Sequence, residues 1–250
     1  MAREIYTARL RKTVVLSEKN QCKHFEFEVE HPGMEKFDFA PGQFLSLLAK
    51  NGEKQMTRAY SIASGPRGDL HFDLCLNRVE GGFFSNYLCD MEHGNIVHFH
   101  GPHGHFVLRN PLRDSIFIAT GTGIAPMRGF LEWLFPLDGR PPRHDGRQIY
   151  LVYGTRYPTE LYYRDFFDAV AQQYPDFHYV TTLSRPPEDW TGARGYVQDQ
   201  VQKILDARPD KGKDSMDAYI CGLNLMVSAN RKLLADYGWD KKQIVFERYD

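Results

Sequence analysis

The chain has 250 residues, of which 42% are hydrophobic and 25% are charged. This is the composition of a globular protein, and it excludes a disordered chain, a fibre and a collagen. Lys and Arg number 31 against 32 Asp and Glu, so the net charge of −1 provides no general attraction for nucleic acid or for an anionic membrane.

The sequence contains no sign of a membrane span or of a metal-binding cysteine cluster. No apolar stretch approaches the roughly 18 residues of a spanning helix, and the opening residues alternate charged with apolar side chains. We therefore expect a cytoplasmic protein. The four cysteines are far apart, which indicates reduced thiols instead of a zinc or iron–sulfur site: Cys22, Cys75, Cys89 and Cys221.

Short alternating or aromatic-rich runs, separated by turn residues, fill roughly the first hundred positions. This pattern predicts an antiparallel barrel or sandwich. The runs are YTARLRKTVVLS, KHFEFEVE, QFLSLLAK, TRAYSIAS, DLHFDLCLNR and NIVHFHG. A short helix is predicted at Phe83–Leu88, directly after a pair of glycines that frees the backbone to approach a ligand.

After Asn110–Pro111 the pattern changes to apolar strands that alternate with amphipathic helices. The alternation predicts a parallel sheet covered by helices on both faces. The predicted strands are Ser115–Thr120, Gln148–Thr155, His178–Ser184, Ala218–Cys221 and Ile244–Arg248. The predicted helices are Pro126–Phe135, Glu160–Tyr174, Val197–Leu205 and Leu225–Tyr237. The boundary between the two patterns lies near 108–113, which gives domains of residues 1–110 and 111–250.

Ligands of such a sheet bind beyond the carboxyl ends of its strands. The segment IFIATGTGIAP reads as a strand, a glycine turn and the start of a helix, an arrangement that suits a pyrophosphate beside free helix N–H groups. Any tight turn between a strand and a helix also favours glycine, so the GTG turn alone leaves a purely structural explanation open.

Several motifs occur in one order across both patterns. They are RAYSIAS at 58–64, GGFFSNYL at 81–88, GPHGHF at 101–106, GTGIAP at 121–126, YGTR at 153–156, CGL at 221–223 and the terminal FERYD. Together they make nearly the whole chain resemble the ferredoxin–NADP(+) reductase family of flavoproteins. The resemblance implies an N-terminal antiparallel β-barrel that binds FAD, followed by a C-terminal α/β Rossmann-like parallel sheet that binds NAD(P).

The resemblance also implies which residues hold FAD. Arg58 offers a guanidinium to the pyrophosphate, Tyr60 presents a flat face to the flavin ring, and Ser61 hydrogen-bonds near N5, the atom that accepts hydride. The other implied FAD contacts are Ala59, Leu74, Cys75, Leu76, Arg78, Gly82, Phe83, Phe84, Ser85 and Tyr249. For Arg78 a surface arginine is the alternative, and Leu74, Cys75 and Leu76 can be core residues as well as flavin contacts.

Four residues are implied in catalysis: Ser61, Cys221, Glu247 and Tyr249. Cys221 corresponds to a cysteine beside the nicotinamide, with a role in shape and weak hydrogen bonding. Tyr249 corresponds to an aromatic residue that stacks on the flavin. Asp250 follows it, whereas the plant-type pattern ends at the aromatic residue, so a surface tyrosine remains the alternative.

The implied NADP contacts lie after the strands of the second domain. They are Gly121, Thr122, Gly123, Arg156, Ser184, Arg185, Arg194, Tyr196, Cys221 and Gly222. Ser184 and Arg185 match a serine–arginine pair that holds the 2′-phosphate, which favours NADPH. Glu188 and Asp189 follow closely and leave NADH possible, because their carboxylates would repel a phosphate.

The resemblance implies a reductase that transfers hydride between NADPH and FAD, and single electrons between FAD and ferredoxin or flavodoxin. The alternative is an NADH-dependent reductase component of an oxygenase or of another multi-component electron-transfer system. A third interpretation is a flavin-binding subunit without coenzyme turnover. No metal is predicted, although five histidines fall within thirteen residues: His93, His98, His100, His103 and His105.

Overall fold

The computed structural model describes residues 4–249, which form two compact units. One unit contains the chain up to Val107 together with Arg128–Trp133. The other contains Leu108–Met127 and the chain from Leu134 onward. The single helix that includes positions 127 and 128 therefore contributes to both units.

The first unit is built on a six-stranded antiparallel sheet in the order β4-β3-β6-β1-β2-β5. Its strands are β1 (Tyr6–Ser17), β2 (Cys22–Val29), β3 (Phe44–Asn51), β4 (Lys54–Ser61), β5 (His71–Asn77) and β6 (Ile96–His103). A seven-residue helix, α1 (Phe83–Cys89), lies between β5 and β6.

The sheet closes on itself where the two outer strands meet. Ile62 forms an antiparallel bridge with Leu74, and the Ala63 N–H donates to the Asp73 carbonyl oxygen at 2.7 Å. The inward-facing side chains fill the interior with aromatic rings; the Phe72 ring centroid lies 5.4 Å from that of Phe27. The predicted antiparallel barrel is confirmed.

The second unit is a six-stranded parallel sheet in the order β10-β9-β8-β7-β11-β12. Its strands are β7 (Asp114–Thr120), β8 (Ile149–Thr155), β9 (Phe177–Leu183), β10 (Ala193–Arg194), β11 (Met216–Gly222) and β12 (Ile244–Arg248). Its helices are α2 (Ile124–Leu134), α3 (Arg164–Gln173), α4 (Val197–Asp206) and α5 (Asn224–Asp236). All seven residues of β11 are buried, as expected for a central strand covered on both faces.

The predicted α/β sheet is confirmed, with differences of two residues or more at four elements. Helix α2 begins at Ile124 instead of at the predicted Pro126. The third helix begins at Arg164 and not at Glu160, because Pro158–Glu160 forms a separate 3-10 turn and Tyr163 adopts a left-handed backbone with φ of +60°. Strand β11 starts two residues earlier than predicted. Strand β10 has only two residues, too few for alternation to reveal it in the sequence.

Candidate functional site

The RAYS motif lies on β4, an outer strand of the barrel sheet. Arg58 and Ala59 are exposed, Tyr60 is half-buried, and Ser61 at the end of the strand is buried. The Tyr60 ring packs against the barrel core and meets Phe84 edge-on at 6.5 Å between centroids. Burial raises the pKa of the Tyr60 hydroxyl to about 12, so it stays protonated at neutral pH.

The three residues predicted to flank a flavin ring on β5 point to two faces of the strand. Leu74 and Leu76 belong to the barrel core, whereas Cys75 points the other way. The Cys75 sulfur lies 3.9 Å from that of Cys22, and both cysteines are buried and outside any disulfide. In this structure the leucines are core residues.

The turn before α1 is held by its own side chains. Ser85 Oγ accepts a hydrogen bond from the Val79 N–H at 3.0 Å, and a Cβ on Gly82 would lie 2.6 Å from that hydroxyl. The N–H groups of Phe83 and Phe84 occupy the first helical turn, where α-helical geometry offers no backbone acceptor. The predicted phosphate segment thus has its hydroxyl engaged locally and two first-turn amides directed out of the helix.

Arg78 is bound to α1. Its Nη1 donates to Asn86 Oδ1 at 2.8 Å, and its Nη2 donates to the Asp90 carboxylate. The Asp90 carboxylate thus pairs with the Arg78 guanidinium, the charge that the sequence suggested as a contact for the FAD phosphates.

In the α/β unit, the GTG sequence forms a 3-10 turn, Gly121–Gly123, directly after β7. Gly121 has a φ of +54°, a conformation that favours glycine, and an added Cβ there would meet nothing within 4 Å. The Tyr153 hydroxyl lies 3.0 Å from the Gly121 carbonyl oxygen and 3.1 Å from that of Glu160. The buried tyrosine therefore supports the turn from below.

Gly123 allows the turn to touch β11 through backbone alone. A Cβ at this position would lie 2.3 Å from the Cys221 carbonyl oxygen, closer than any real contact. On the other side, a Cβ on Gly222 would lie 2.5 Å from Thr120 Oγ1, a buried hydroxyl oxygen without a hydrogen-bond partner among the described residues. The two glycines bring the ends of β7 and β11 together.

Three of the four predicted catalytic residues are brought together by strands β11 and β12. Cys221 pairs in register with Glu247, and the Tyr249 N–H donates to the Gly222 carbonyl oxygen at 3.0 Å. Burial and the nearby Glu247 charge raise the pKa of the Cys221 thiol well above its ordinary value, while a hydrogen bond from the Tyr249 side chain opposes them. Cys221 is therefore a neutral thiol. Ser61 belongs to the barrel unit, and Asp250 lies outside the described residues.

Arg194, predicted to contact the coenzyme, folds onto the loop that precedes it. Its Nη2 lies 3.2, 3.0 and 2.9 Å from the carbonyl oxygens of Pro187, Glu188 and Trp190. These contacts tie Arg194 to the backbone of loop 185–190.

The other predicted coenzyme residues follow β8 and β9. Arg156 and Arg185 are exposed, and backbone bonds of 2.9 Å from Ser184 to Thr155 and 3.0 Å from Arg185 to Arg156 join the two strand ends. Tyr196 is 65% exposed at the N-terminus of α4. Within residues 4–249 no carboxylate pairs with the Arg185 guanidinium, so its charge is available to a ligand.

A group of side chains that the motifs did not reveal lies on the barrel: Asp73 with Arg67, Arg128 and Glu132. The one sequence signal is an aspartate inside the apolar run FDLCL. Two of the five histidines of residues 93–105 contact each other, and a third contacts a neighbouring strand. His100 Nδ1 lies 2.8 Å from His103 Nε2, while His98 contacts Thr7.

Two features are absent from residues 4–249: a group of metal ligands and a membrane-spanning helix. No three His, Cys, Asp or Glu side chains gather there in a way that would hold a metal ion. No helix in this part of the chain is both long and apolar enough to cross a membrane.

Comparison with known proteins gives the class of the chain. Residues 7–108 match the model of an oxidoreductase FAD-binding domain, and residues 117–232 match that of an oxidoreductase NAD-binding domain. The chain is an FAD- and NAD(P)-binding oxidoreductase.

Its relatives define the family. The chain is 37% identical over 229 residues to ferredoxin–NADP reductase B of Sorangium cellulosum, covering 90% of this chain and 91% of that protein. The chain belongs to the ferredoxin–NADP reductase family. It is also 33% identical to the phenol hydroxylase P5 protein of Acinetobacter pittii, covering 85% of this chain but only 58% of that protein.

Solved structures agree on the fold. Ferredoxin-NADP+ reductase from Plasmodium falciparum, solved with 2′P-AMP, superposes with a TM-score of 0.80 at 23% identity, over 98% of this chain and 97% of that one. The corresponding reductase from Neisseria gonorrhoeae gives a TM-score of 0.78 at 21% identity, over 99% of both chains.

Proposed function

We propose that the protein is an NADPH-dependent reductase that passes electrons through FAD to a one-electron acceptor protein, a ferredoxin or a flavodoxin. The observation that carries the proposal is the grouping of Cys221, Glu247 and Tyr249 at the carboxyl edge of the parallel sheet, next to the GTG turn. When bound, FAD accepts a hydride at N5 and releases the electrons singly. The cytoplasmic location stays a prediction from the sequence.

The barrel residues fit FAD. Arg58 and Ala59 lie on the open side of an outer strand, and the half-buried Tyr60 ring offers a rigid apolar surface beside them. The first-turn amides of Phe83 and Phe84 provide donors for a phosphate. In this proposal Arg58 and α1 bind the pyrophosphate, Tyr60 orients the ring, and the Ser61 hydroxyl hydrogen-bonds near N5. Arg78 supports α1 through Asn86 and Asp90.

The α/β residues fit a pyridine dinucleotide. The open space beside Gly121 and the unpartnered Thr120 hydroxyl suit a phosphate and a polar group close to the backbone. The neutral Cys221 thiol packs beside the nicotinamide and acts as a weak hydrogen-bond donor. The Glu247 carboxylate orients the nicotinamide. In this proposal the buried, protonated thiol of Cys221 is not assigned a role as a covalent nucleophile.

Arg185 carries the preference for NADPH in this proposal, since its guanidinium is exposed and matches the geometry of a phosphate. Arg194 acts by holding loop 185–190 in place. Ser184, tied to β8 through its backbone, provides a hydroxyl next to Arg185.

The test is anaerobic stopped-flow reduction of the FAD-loaded protein by NADPH and by NADH. Fast bleaching by NADPH, followed by electron transfer to added ferredoxin or flavodoxin, is the expected result. Arg185→Ala should raise the KM for NADPH at least tenfold more than that for NADH. Lys242→Ala, which removes an exposed charge before β12 and so at the opposite edge of the sheet, is the matched control. Equal effects of Arg185→Ala on both coenzymes contradict the assignment.

A second candidate is an NADH-dependent reductase component of an oxygenase system. Two observations favour it: Glu188 and Asp189 are exposed in loop 185–190, and relatives at 33% identity include the 2-halobenzoate 1,2-dioxygenase electron transfer component of Burkholderia cepacia. Faster flavin reduction by NADH than by NADPH would select this candidate. Absence of reduction by either coenzyme would instead favour a flavin-binding subunit without turnover.

A further inference from the structure

Asp73 is a carboxylate buried in the barrel wall between two arginines. Its side chain is 1% exposed. Arg67 Nη2 donates to Asp73 Oδ2 at 2.6 Å, and Arg128 Nη1 donates to the same oxygen at 3.1 Å. Burial alone would raise the pKa of Asp73, but the charges of Arg128 and Arg67 outweigh it and hold the pKa below its ordinary value. Asp73 is therefore ionised at neutral pH.

A second carboxylate, Glu132, completes the group. Glu132 Oε1 accepts from Arg67 Nε at 3.0 Å, and its Oε2 accepts from the Gly65 N–H at 3.1 Å. Both Glu132 and Arg128 are 14% exposed and Arg67 is 26% exposed, so Asp73 is the most shielded member of the group. We call Asp73, Arg67, Arg128 and Glu132 the carboxylate clamp. All four belong to the barrel unit.

The clamp grips the segment that directly follows Ser61. The Ala63 N–H donates to the Asp73 carbonyl oxygen, and the Ala63 carbonyl oxygen accepts from Arg128. Ser64 Oγ accepts from the Asp73 N–H at 3.0 Å. The main chain of Asp73 thus binds residues 63 and 64, while the charged side chains of Arg128 and Glu132 bind residues 63 and 65.

Close packing adds to the grip. A Cβ on Gly129 would lie 2.8 Å from the Ser64 carbonyl oxygen, and one on Gly65 would lie 3.0 Å from the Trp133 nitrogen. The helix backbone therefore lies directly against residues 64 and 65. Rotation or sliding of this segment would break several bonds at once.

Buried ion pairs are poor stabilisers, because the cost of removing the charges from water offsets much of their attraction. Apolar side chains of similar volume would close the barrel equally well. A network of four charged groups around one segment is better explained by the need to hold that segment in one geometry.

We propose that Asp73 and Arg128 are positioning residues for hydride transfer: the carboxylate clamp fixes residues 62–65 and thereby holds Ser61 in place at the end of β4. The inference rests on the proposed role of Ser61 near the flavin N5. A displacement of about 1 Å at a reacting centre lowers a rate by orders of magnitude, so even a small relaxation of the clamp is measurable.

The test is a double-mutant cycle on the FAD-loaded protein, with the rate constant of hydride transfer measured by stopped flow. Asp73→Asn keeps the shape but removes the charge, and it should slow hydride transfer about tenfold while FAD content is retained. Ser61→Ala should also slow it. In the Ser61→Ala background, Asp73→Asn should have little further effect, because the hydroxyl that the clamp positions is already absent.

Asp217→Asn is the matched control. Asp217 is also 1% exposed beside two arginines, Arg109 and Arg113, but it lies at the amino end of β11, away from the ligand edge. It should lower the melting temperature without slowing hydride transfer. If Asp73→Asn does not fold, Arg128→Lys serves the same cycle, since a lysine retains the charge but loses the geometry of the guanidinium.

The outcomes separate this inference from the proposed function. Independent, multiplicative effects of Asp73→Asn and Ser61→Ala overturn the positioning role alone. Equal rate effects of Asp73→Asn and Asp217→Asn also overturn it, because they indicate a general loss of stability. An unchanged rate in Ser61→Ala refutes the role proposed for Ser61, and the inference fails with it. A shift of the bound flavin's visible spectrum in Asp73→Asn, absent in Asp217→Asn, supports the positioning role.

Discussion

His24 makes the stability of the barrel depend on pH. Its side chain is 6% exposed on β2, with Nε2 3.7 Å from Asp73 Oδ2. Burial lowers the pKa of His24 from 6.5 to about 4; the Asp73 and Glu26 charges raise this pKa and the Arg128 and Arg67 charges lower it, each by less than burial does. Between these two values the folded protein keeps the histidine neutral, while the unfolded chain binds a proton.

The sign and size of the effect follow from this difference. Because the unfolded state binds more protons, the free energy of unfolding falls as the pH falls from about 6.5 towards 4. Each pH unit in this window costs about 1.4 kcal/mol, so acidification from pH 7 to about pH 4.5 should cost about 2 kcal/mol at this residue.

The measurement is urea unfolding of the FAD-loaded protein, wild type and His24→Gln, at a series of pH values. The variant lacks the titrating group, so the difference in unfolding free energy between the two proteins should change by about 2 kcal/mol between pH 7 and about pH 4.5. His93→Gln, which replaces an exposed histidine, is the control. If the unfolding free energies of wild type and His24→Gln depend on pH in the same way across this range, the reasoning is refuted.

Three further predictions concern the α/β unit. Gly123→Ala places a methyl group 2.3 Å from a backbone oxygen and should lower the free energy of unfolding by about 3 kcal/mol or more. Gly121→Ala should lower it by about 1 kcal/mol, because the added methyl group meets no atom. Equal melting temperatures of the two variants would contradict this prediction. Tyr153→Phe removes the hydroxyl beneath the GTG turn and should lower the unfolding free energy by about 1 kcal/mol and raise the KM for both coenzymes, whereas unchanged kinetics would show that the turn needs no such support. Arg194→Ala removes the donor to three carbonyl oxygens and should accelerate proteolysis within residues 185–190. A cleavage pattern identical to that of wild type would show that Arg194 does not hold this loop in place.

Much of the fold was accessible from the sequence because it follows from periodicity. The alternation in KHFEFEVE predicts β2, and the apolar run around Ile116–Ile118 predicts β7. The predicted start of α3 was wrong because Tyr163 separates the 3-10 turn from the helix. Its left-handed backbone conformation is uncommon for a tyrosine, so the sequence does not indicate it.

The site was predictable only as far as its residues follow strand ends. The register of β11 with β12 joins Cys221 to Glu247, and motifs at both strand ends pointed to these residues. The grip of Arg194 on three carbonyl oxygens depends on the path of a loop, which has no periodic signal. The carboxylate clamp combines residues more than fifty positions apart, so only the fold reveals that Asp73 and Arg128 meet.

The carboxyl edge of the parallel sheet, where the coenzyme is proposed to bind, has one part that tolerates substitution and one that does not. The contact of Gly123 with β11 marks the part that does not. At Gly123 backbone meets backbone, and a Cβ at this position would clash with β11 in any rotamer. In loop 185–190 the side chains of Arg185, Glu188 and Asp189 are exposed, and they can change without disturbing the core. We therefore expect homologues of this chain to differ in loop 185–190 and to keep glycine at position 123.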